Sequence, residues 1–449
     1  MAKDINPDAE IGRSQAPSLR EASALWWKIG ILSFGGPAAQ IALMHKLIVD
    51  EKRWLSEPQF LNALSFCMLL PGPEAMQLAT YAGWRLHGVK GGLVAGLAFV
   101  LPGALVVLLL SAAYALFGHT PLAASLFLGI KAAVLIIVLE ALLRVSRKAL
   151  HGLGHWLIAA FAFVAIFFLE APFPVIILCA GLYGLWHGSR QKGKEPGRVD
   201  EEALTVDGGR AVSPAQTVKS ILLWLGIWLL PLALLLWLSP MAILGTIGLF
   251  FSKLAMVTFG GAYAVLAYMA QDAVSQYGWL SAPEMLDGLG LAETTPGPLI
   301  LVTEFVGFLA AARSGEGINL WYGLAGAMVT LWATFAPCFL WVFAGAPYIE
   351  WISERPRLRE ALRAITAAVV GVILNLSVWF GLHVLFATVD KHSFGWISIY
   401  QPEWGSLEPV LLLLALLAGY LLHWRQWSIM ACLATTGALG AISGFVGGI

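Results

Sequence analysis

Leu69-Leu70-Pro71-Gly72-Pro73-Glu74-Ala75 lies in the middle of an apolar run from about Phe60 to Trp84. The run is long enough for a bilayer, but no helix passes through it smoothly. Each proline lacks an N–H and its ring clashes with the preceding turn. Gly72 lets the backbone adopt conformations that other residues avoid. Broken backbone at membrane depth persists only where protein or a water-filled cavity satisfies its polar groups. In transporters such breaks point to the substrate site. The tripeptide returns at Pro296-Gly297-Pro298, again inside an apolar run.

The surrounding sequence is of the same kind. Hydrophobic residues make up 59% of the chain and charged residues 12%, against about 25% charged in soluble domains. The sequence therefore predicts an all-α polytopic membrane protein with about thirteen transmembrane helices. Apolar spans are expected near 22–48, 60–86, 91–117, 122–145, 153–170, 172–187, 218–238, 241–270, 285–312, 321–347, 361–387, 408–423 and 427–447. Nineteen tryptophans suit two interfacial belts. Zero formal charge gives no reason to expect nucleic acid as a partner. The four cysteines lie far apart in apolar runs and read as small buried hydrophobes. No signal peptide is evident, and the first span is expected to direct insertion.

Lysine and arginine orient the chain. Arg144, Arg147 and Lys148 end the fourth span, a basic stretch fills the polar linker, and Arg355, Arg357, Arg359 and Arg363 follow the tenth span. A cytoplasmic N-terminus and an external C-terminus place all of these inside. Lys46, Lys52 and Arg53 dissent, because they fall in a loop expected outside. Either that loop breaks the rule or a broken segment is re-entrant. The expected organisation is a cytoplasmic segment 1–21, a first unit 22–187, a cytoplasmic linker 188–216, a connecting helix 217–238 and a second unit 239–449.

The two units are copies. At a shift of 225, Lys28 meets Lys253, Phe34-Gly35-Gly36 meets Phe259-Gly260-Gly261, Trp54-Leu55-Ser56 meets Trp279-Leu280-Ser281, and the Pro-Gly-Pro tripeptides coincide. Beyond them the shift is 235: Pro102 meets Pro337, and Ala132-Ala133-Val134 meets Ala367-Ala368-Val369. The ten extra residues fit a loop around Ser314–Leu320. One connecting span between two six-span copies inverts the second copy, which is the build of many secondary transporters.

Candidate substrate-binding residues follow from the breaks. Pro71, Gly72 and Pro73, with Pro296, Gly297 and Pro298, would begin half-helices whose free N–H groups and dipole ends attract an anion. A kink that only shapes packing is the competing reading. Gly35, Gly36, Gly260 and Gly261 expose backbone or permit close helix approach. Lys28, Lys253 and Lys131 are lysines within spans, where such residues are costly and usually functional. Lys131, whose counterpart is Thr366, needs an acid or an anion; Glu74, Glu140 and Glu304 are its candidate partners. Glu74, Glu293 and Glu304 are candidates for proton coupling, because a poorly solvated carboxyl group gains affinity for a proton. The repeated Trp-Leu-Ser-x-Pro reads as a helix start at the interface. No phosphate loop, metal-spaced cluster or nucleophile elbow is present, so neither an enzyme, a cofactor nor a metal is expected.

Phe34-Gly35-Gly36-Pro37, Trp54-Leu55-Ser56, Leu70-Pro71-Gly72-Pro73 and Gly129-Ile130-Lys131-Ala132-Ala133-Val134, in that order, resemble the chromate transporter family in its long, two-unit form. The second unit departs from the pattern with Ala262 for Pro37 and Thr366 for Lys131. The resemblance implies a multi-pass protein of the cytoplasmic membrane that exports chromate, a tetrahedral dianion shaped like sulfate, and so confers chromate resistance. A carrier of sulfate or another oxyanion, an anion channel and a non-transporting scaffold are the alternatives. The expected partners are the oxyanion, the lipid bilayer and, in a homodimer, a second copy of the chain.

Overall fold

The computed structural model describes residues 17–190, 214–238, 243–259, 262–348 and 356–447. Most of the linker, and Gly260 and Gly261 of the second Gly-Gly pair, lie outside the described residues. Helices α1 (Leu19–Leu32) and α2 (Gly36–His45, extended by a π turn Lys46–Glu51) meet at the first Gly-Gly pair. Helices α3 (Glu57–Cys67) and α4 (Glu74–Phe117) meet at the first Pro-Gly-Pro. The second unit repeats this with α9 (Ile243–Val257), α10 (Ala262–Gln271, then Asp272–Gln276), α11 (Ala282–Thr294) and α12 (Val302–Ala312). Ser56 and Ser281 cap α3 and α11 through capping boxes with Gln59 and Glu284, so the repeated Trp-Leu-Ser-x-Pro is a helix start.

Four segments read as spans fold back on themselves. Lys52, after α2, lies 3.0 Å from Glu21 in the first turn of α1. Glu57, which opens α3, meets His45 at 2.5 Å. α4 is not one helix: His87 and Gly88 leave helical geometry. The arm 74–86 turns there into the arm 89–117, with Gly83 packed on the Gly91 carbonyl and Ala95. His87 bonds the carbonyl of Pro17 at 2.6 Å. Residues 17, 21, 45, 52, 57 and 87 thus gather at one end of the molecule. In the second unit Arg313, which caps α12, bonds Glu284 at the start of α11 at 2.7 Å. Phe250 of α9 sits 5.3 Å from the rings of Tyr277 and Trp279, past α10. Segments 22–48, 60–86 and 285–312, and the described part of 241–270, are therefore helical hairpins, and each enters and leaves at the same end.

Among the described residues nine helical segments remain outside the hairpins. They are the second arm of α4, α5 (Pro121–Ala149), α6 (Leu153–Phe167), α7 (Phe173–Arg190), α8 (Pro214–Leu238), α13 (Leu320–Gly345), α14 (Pro356–Leu385), α15 (Pro409–Gly419, then Tyr420–Trp424) and α16 (Ile429–Gly447). Among the described residues five helices, α4, α5, α8, α13 and α14, are long and apolar enough to cross a membrane. Where the first unit turns at His87-Gly88, the second uses the loop 313–319, which holds the extra residues. The chain is not purely helical. Strands β1 (Val389–Phe394) and β2 (Ile397–Pro402) form an antiparallel hairpin after α14. Gly395, at φ 64°, supplies the left-handed position its two-residue turn requires.

The units interlock. α5 of the first unit packs most heavily against α16 of the second and also against α14 and α15, and α14, its counterpart, packs against α6 and α7 of the first. Small residues allow the approach: Gly129 lies on the Thr436 carbonyl and Gly184 on Ala361.

Candidate functional site

At each break the backbone of one unit is completed by the other. The Gly72 N–H donates to the Thr258 carbonyl at 2.8 Å, and the Gly297 N–H donates to the Ser33 carbonyl at 2.8 Å. Ser33 and Thr258 are repeat equivalents, each placed just before its Phe-Gly-Gly. Both glycines need left-handed backbone, with φ of 126° at Gly72 and 90° at Gly297. A Cβ on Gly72 would lie 2.8 Å from Cys338 Sγ, and Gly297 faces Gly103. Cys338 and Gly103 follow the equivalent prolines Pro337 and Pro102. The tripeptides thus join the units, and the glycine N–H groups are already engaged. The groups left without intrahelical partners are those of the following turn, at Glu74, Ala75 and Met76 in the first unit. Pro73 and Pro298 stand as N-caps, one position earlier than expected.

Two glutamines that the sequence reading did not single out complete the breaks. Gln40 donates to the Gly297 carbonyl at 2.7 Å, and Gln77 donates to the Pro71 carbonyl at 2.7 Å. Their counterparts are Val265 and Val302. Both amides are fully buried, and neither Oε1 has a donor among the described residues.

Lys131 pairs with none of the three expected acids. Its Nζ lies 3.3 Å from Asp287 Oδ1, and Asp287 Oδ2 accepts from the Tyr114 hydroxyl at 2.7 Å. The register of α5 against α11, with Ile130 packed on Gly290, selects Asp287. Asp287 was legible only as an acid inside an apolar run. Lys28 is exposed on α1, and Lys253 is exposed with its ammonium 5.6 Å from the Tyr268 ring centre. Glu304, near the start of α12, is 1% exposed, and its Oε2 has no hydrogen-bond partner among the described residues.

A cavity of about 710 Å³ opens beside the first Gly-Gly pair. Phe34 and Gly35 line it, and α2 begins there with Gly35 as its N-cap at φ 85° and no side-chain cap. Its other wall is the last part of α5, with Glu140, Arg144, Arg147 and Lys148. The three basic residues fall at i, i+3 and i+4, share one face and are exposed. Glu293 closes the inner end and accepts from Tyr263 at 2.8 Å. Glu293, three residues before the second break, thus shares the cavity with the basic wall. Such a site, with cationic side chains and a helix N-terminus on one cavity, suits an anion.

The chain matches the family described as Chromate transporter over residues 21–185 and 245–441. The chain belongs to the chromate transporter family. The two matched regions lie on either side of the linker and α8. It is 30% identical over 421 residues to a probable chromate transport protein of Synechococcus elongatus, covering 92% of this chain and 97% of that one. It is 32% identical over 356 residues to a chromate transport protein of Pseudomonas aeruginosa, covering 78% of each. An uncharacterized transporter of Bacillus subtilis, YwrB, is 30% identical over 172 residues, which cover 37% of this chain but 87% of that one. No solved structure matches the chain. The resemblance carried by the ordered motifs is thus that of a true family member: a membrane transport protein, not an enzyme.

Proposed function

We propose that this protein is a secondary carrier that takes up chromate from the cytoplasm, releases it outside and so confers chromate resistance. The observation that carries this reading is the cavity of about 710 Å³ whose basic wall, Arg144, Arg147 and Lys148, stands opposite Phe34 and Gly35. A basic helix end is cytoplasmic by the positive-inside rule, so the cavity opens toward the compartment from which chromate must be removed. The four hairpins are read as re-entrant, two from the cytoplasm in the first unit and two from outside in the second. Nine helices then cross, α8 alone lies between the units, and the units remain inverted. This arrangement moves Lys46, Lys52 and Arg53 to the cytoplasmic side, and it keeps the termini on opposite sides. The named chromate transport proteins among the relatives support the substrate.

Purified protein in liposomes tests the reading. Chromate uptake is expected to saturate, to show counterflow and to be competed by sulfate. Flux without saturation or counterflow would make the protein a channel, and no flux at all would leave a scaffold. A fusion reporter at each terminus tests topology: the N-terminal one should report cytoplasm and the C-terminal one the outside.

A further inference from the structure

The cavity has a counterpart. At the 235-residue shift Glu140 corresponds to Asn375 and Arg144 to Trp379. Asn375 and Trp379 line a crevice of only about 10 Å³ at the far end of α14, with Gln271 of α10 and with Ile166 and Phe167 at the end of α6. The end of α15 occupies the matching place in the open cavity, through Leu422 and His423. The same architecture is thus built twice, open at one end of the molecule and collapsed at the other.

What fills the second copy is visible. In the first unit three residues, 150–152, join α5 to α6 and leave the cavity unroofed. In the second unit the connection after α14 holds the β-hairpin, and its Tyr400 lines the crevice. Tyr400 lies 5.7 Å from Phe167 and 6.2 Å from His383 by ring centres, and Trp379 lines the crevice beside it. The hairpin is tied across the units: the Ser398 N–H donates to the Phe168 carbonyl at 2.8 Å, and Lys391 pairs with Glu170. At its turn Trp396 is 90% exposed.

We infer that this crevice is the collapsed outward-facing vestibule for the same tetrahedral oxyanion, and that the hairpin 389–402 is its lid. Outward opening lifts Tyr400 and Trp379 away from α6 and breaks the Ser398 to Phe168 and Lys391 to Glu170 ties, while the basic cavity closes. The vestibule presents Asn375, Gln271 and Tyr400 where the cytoplasmic cavity presents Arg144, Arg147 and Lys148. Amide and phenol groups hold a dianion more weakly than three cations do, so this is the releasing side. The inference rests on the carrier reading given above.

Two experiments test the lid, one of them without substrate. In a Cys179→Ser background, Asn375→Cys is exposed to a membrane-impermeant maleimide from outside intact cells. Labelling should be slow and should rise at least tenfold on adding Tyr400→Ala or Trp379→Ala. Unchanged labelling in both variants, each present in the membrane at normal levels, overturns the lid. Separately, Glu170→Cys with Lys391→Cys is bridged by a short cleavable thiol reagent in liposomes. Bridging should cut chromate flux at least tenfold, leave chromate binding from the cytoplasmic side unchanged, and be reversed by reduction. Full flux in the bridged protein also overturns the lid. Absence of flux from the unmodified protein would instead defeat the carrier reading, and the labelling result would still stand on its own.

Discussion

Ser33 and Thr258 occupy equivalent places in the two units, and each gives its carbonyl oxygen to the other unit's break glycine at the same distance, 2.8 Å. Arg144 and Trp379 are equivalent too and have nothing in common: one faces an open cavity of about 710 Å³, the other a crevice of about 10 Å³. The difference separates two kinds of constraint. The breaks are backbone structures in which an N–H and a carbonyl must find each other without water, so both copies keep the same solution. The vestibules are side-chain structures, free to diverge as far as their two compartments demand. The side chains around the breaks show the same freedom: Gln40 and Gln77 belong to the first unit, and the buried Asp287, Glu293 and Glu304 to the second.

The sharpest way to break the symmetric half of this comparison is at the glycines. Gly72→Leu and Gly297→Leu should each lower transport at least a hundredfold, together with the yield of monodisperse protein. Left-handed backbone costs a side-chain-bearing residue roughly 1–2 kcal/mol, and overpacking adds about 1–3 kcal/mol. Gly72→Leu should be the worse, because its Cβ meets both Cys338 and Gln77. Size-exclusion profiles and chromate affinity of the surviving protein decide the matter: normal yield with lost affinity would return the glycine to direct anion binding. Next in size is Lys131→Met. It strands the buried Asp287, and breaking a buried pair costs about 3–5 kcal/mol. Adding Asp287→Asn should restore the folded yield, and flux in the double variant then shows whether Lys131 serves the anion as well as the fold.

Much of this molecule was legible in its sequence, for reasons that can be named. The breaks were visible because proline and glycine constrain the backbone whatever surrounds them. The duplication was visible because the block from Lys28 to Pro73 aligns with its copy without a gap. The hairpins were not, because hydropathy carries no direction: about 27 apolar residues cross once or go in and return with the same composition. The single signal was Lys46, Lys52 and Arg53 on the wrong side. Arg144, Arg147 and Lys148 served only as topology markers, although their i, i+3, i+4 spacing already placed them on one face. Gln40 and Gln77 gave no signal, because a buried amide is recognised by the carbonyl it meets. The partner of Lys131 depends on the register of α5 against α11, which no local pattern carries.

Two smaller effects sharpen the asymmetric half. Arg144→Ala should raise the KM for chromate about tenfold with little change in kcat, and weaken its salt dependence, because the residue acts in gathering the anion. Trp379→Ala should leave that KM unchanged when chromate is supplied from the cytoplasmic side. Equal effects at the two positions would remove the functional difference between the vestibules. Smallest of all, Gln40→Leu should cost about 1–3 kcal/mol of stability by leaving the Gly297 carbonyl without its donor. Val265→Leu, at the equivalent place, strands no polar group, so its cost is the overpacking of one added methylene alone. Thermal unfolding in detergent compares the pair.

The interlock also sets an order of events at the ribosome. Gln40 and the Gly297 carbonyl it serves are 257 residues apart. At about 5–20 residues per second, the first unit waits tens of seconds in the bilayer with the Gln40 amide reaching only the Ser33 carbonyl of its own unit, at 3.4 Å. Lipid offers nothing to complete the pair, so the early half must stay near water, or under the care of the insertion machinery, until its second half emerges. A chain interrupted in the linker would be a half-built joint rather than a smaller transporter, and the cell's membrane proteases should find it quickly.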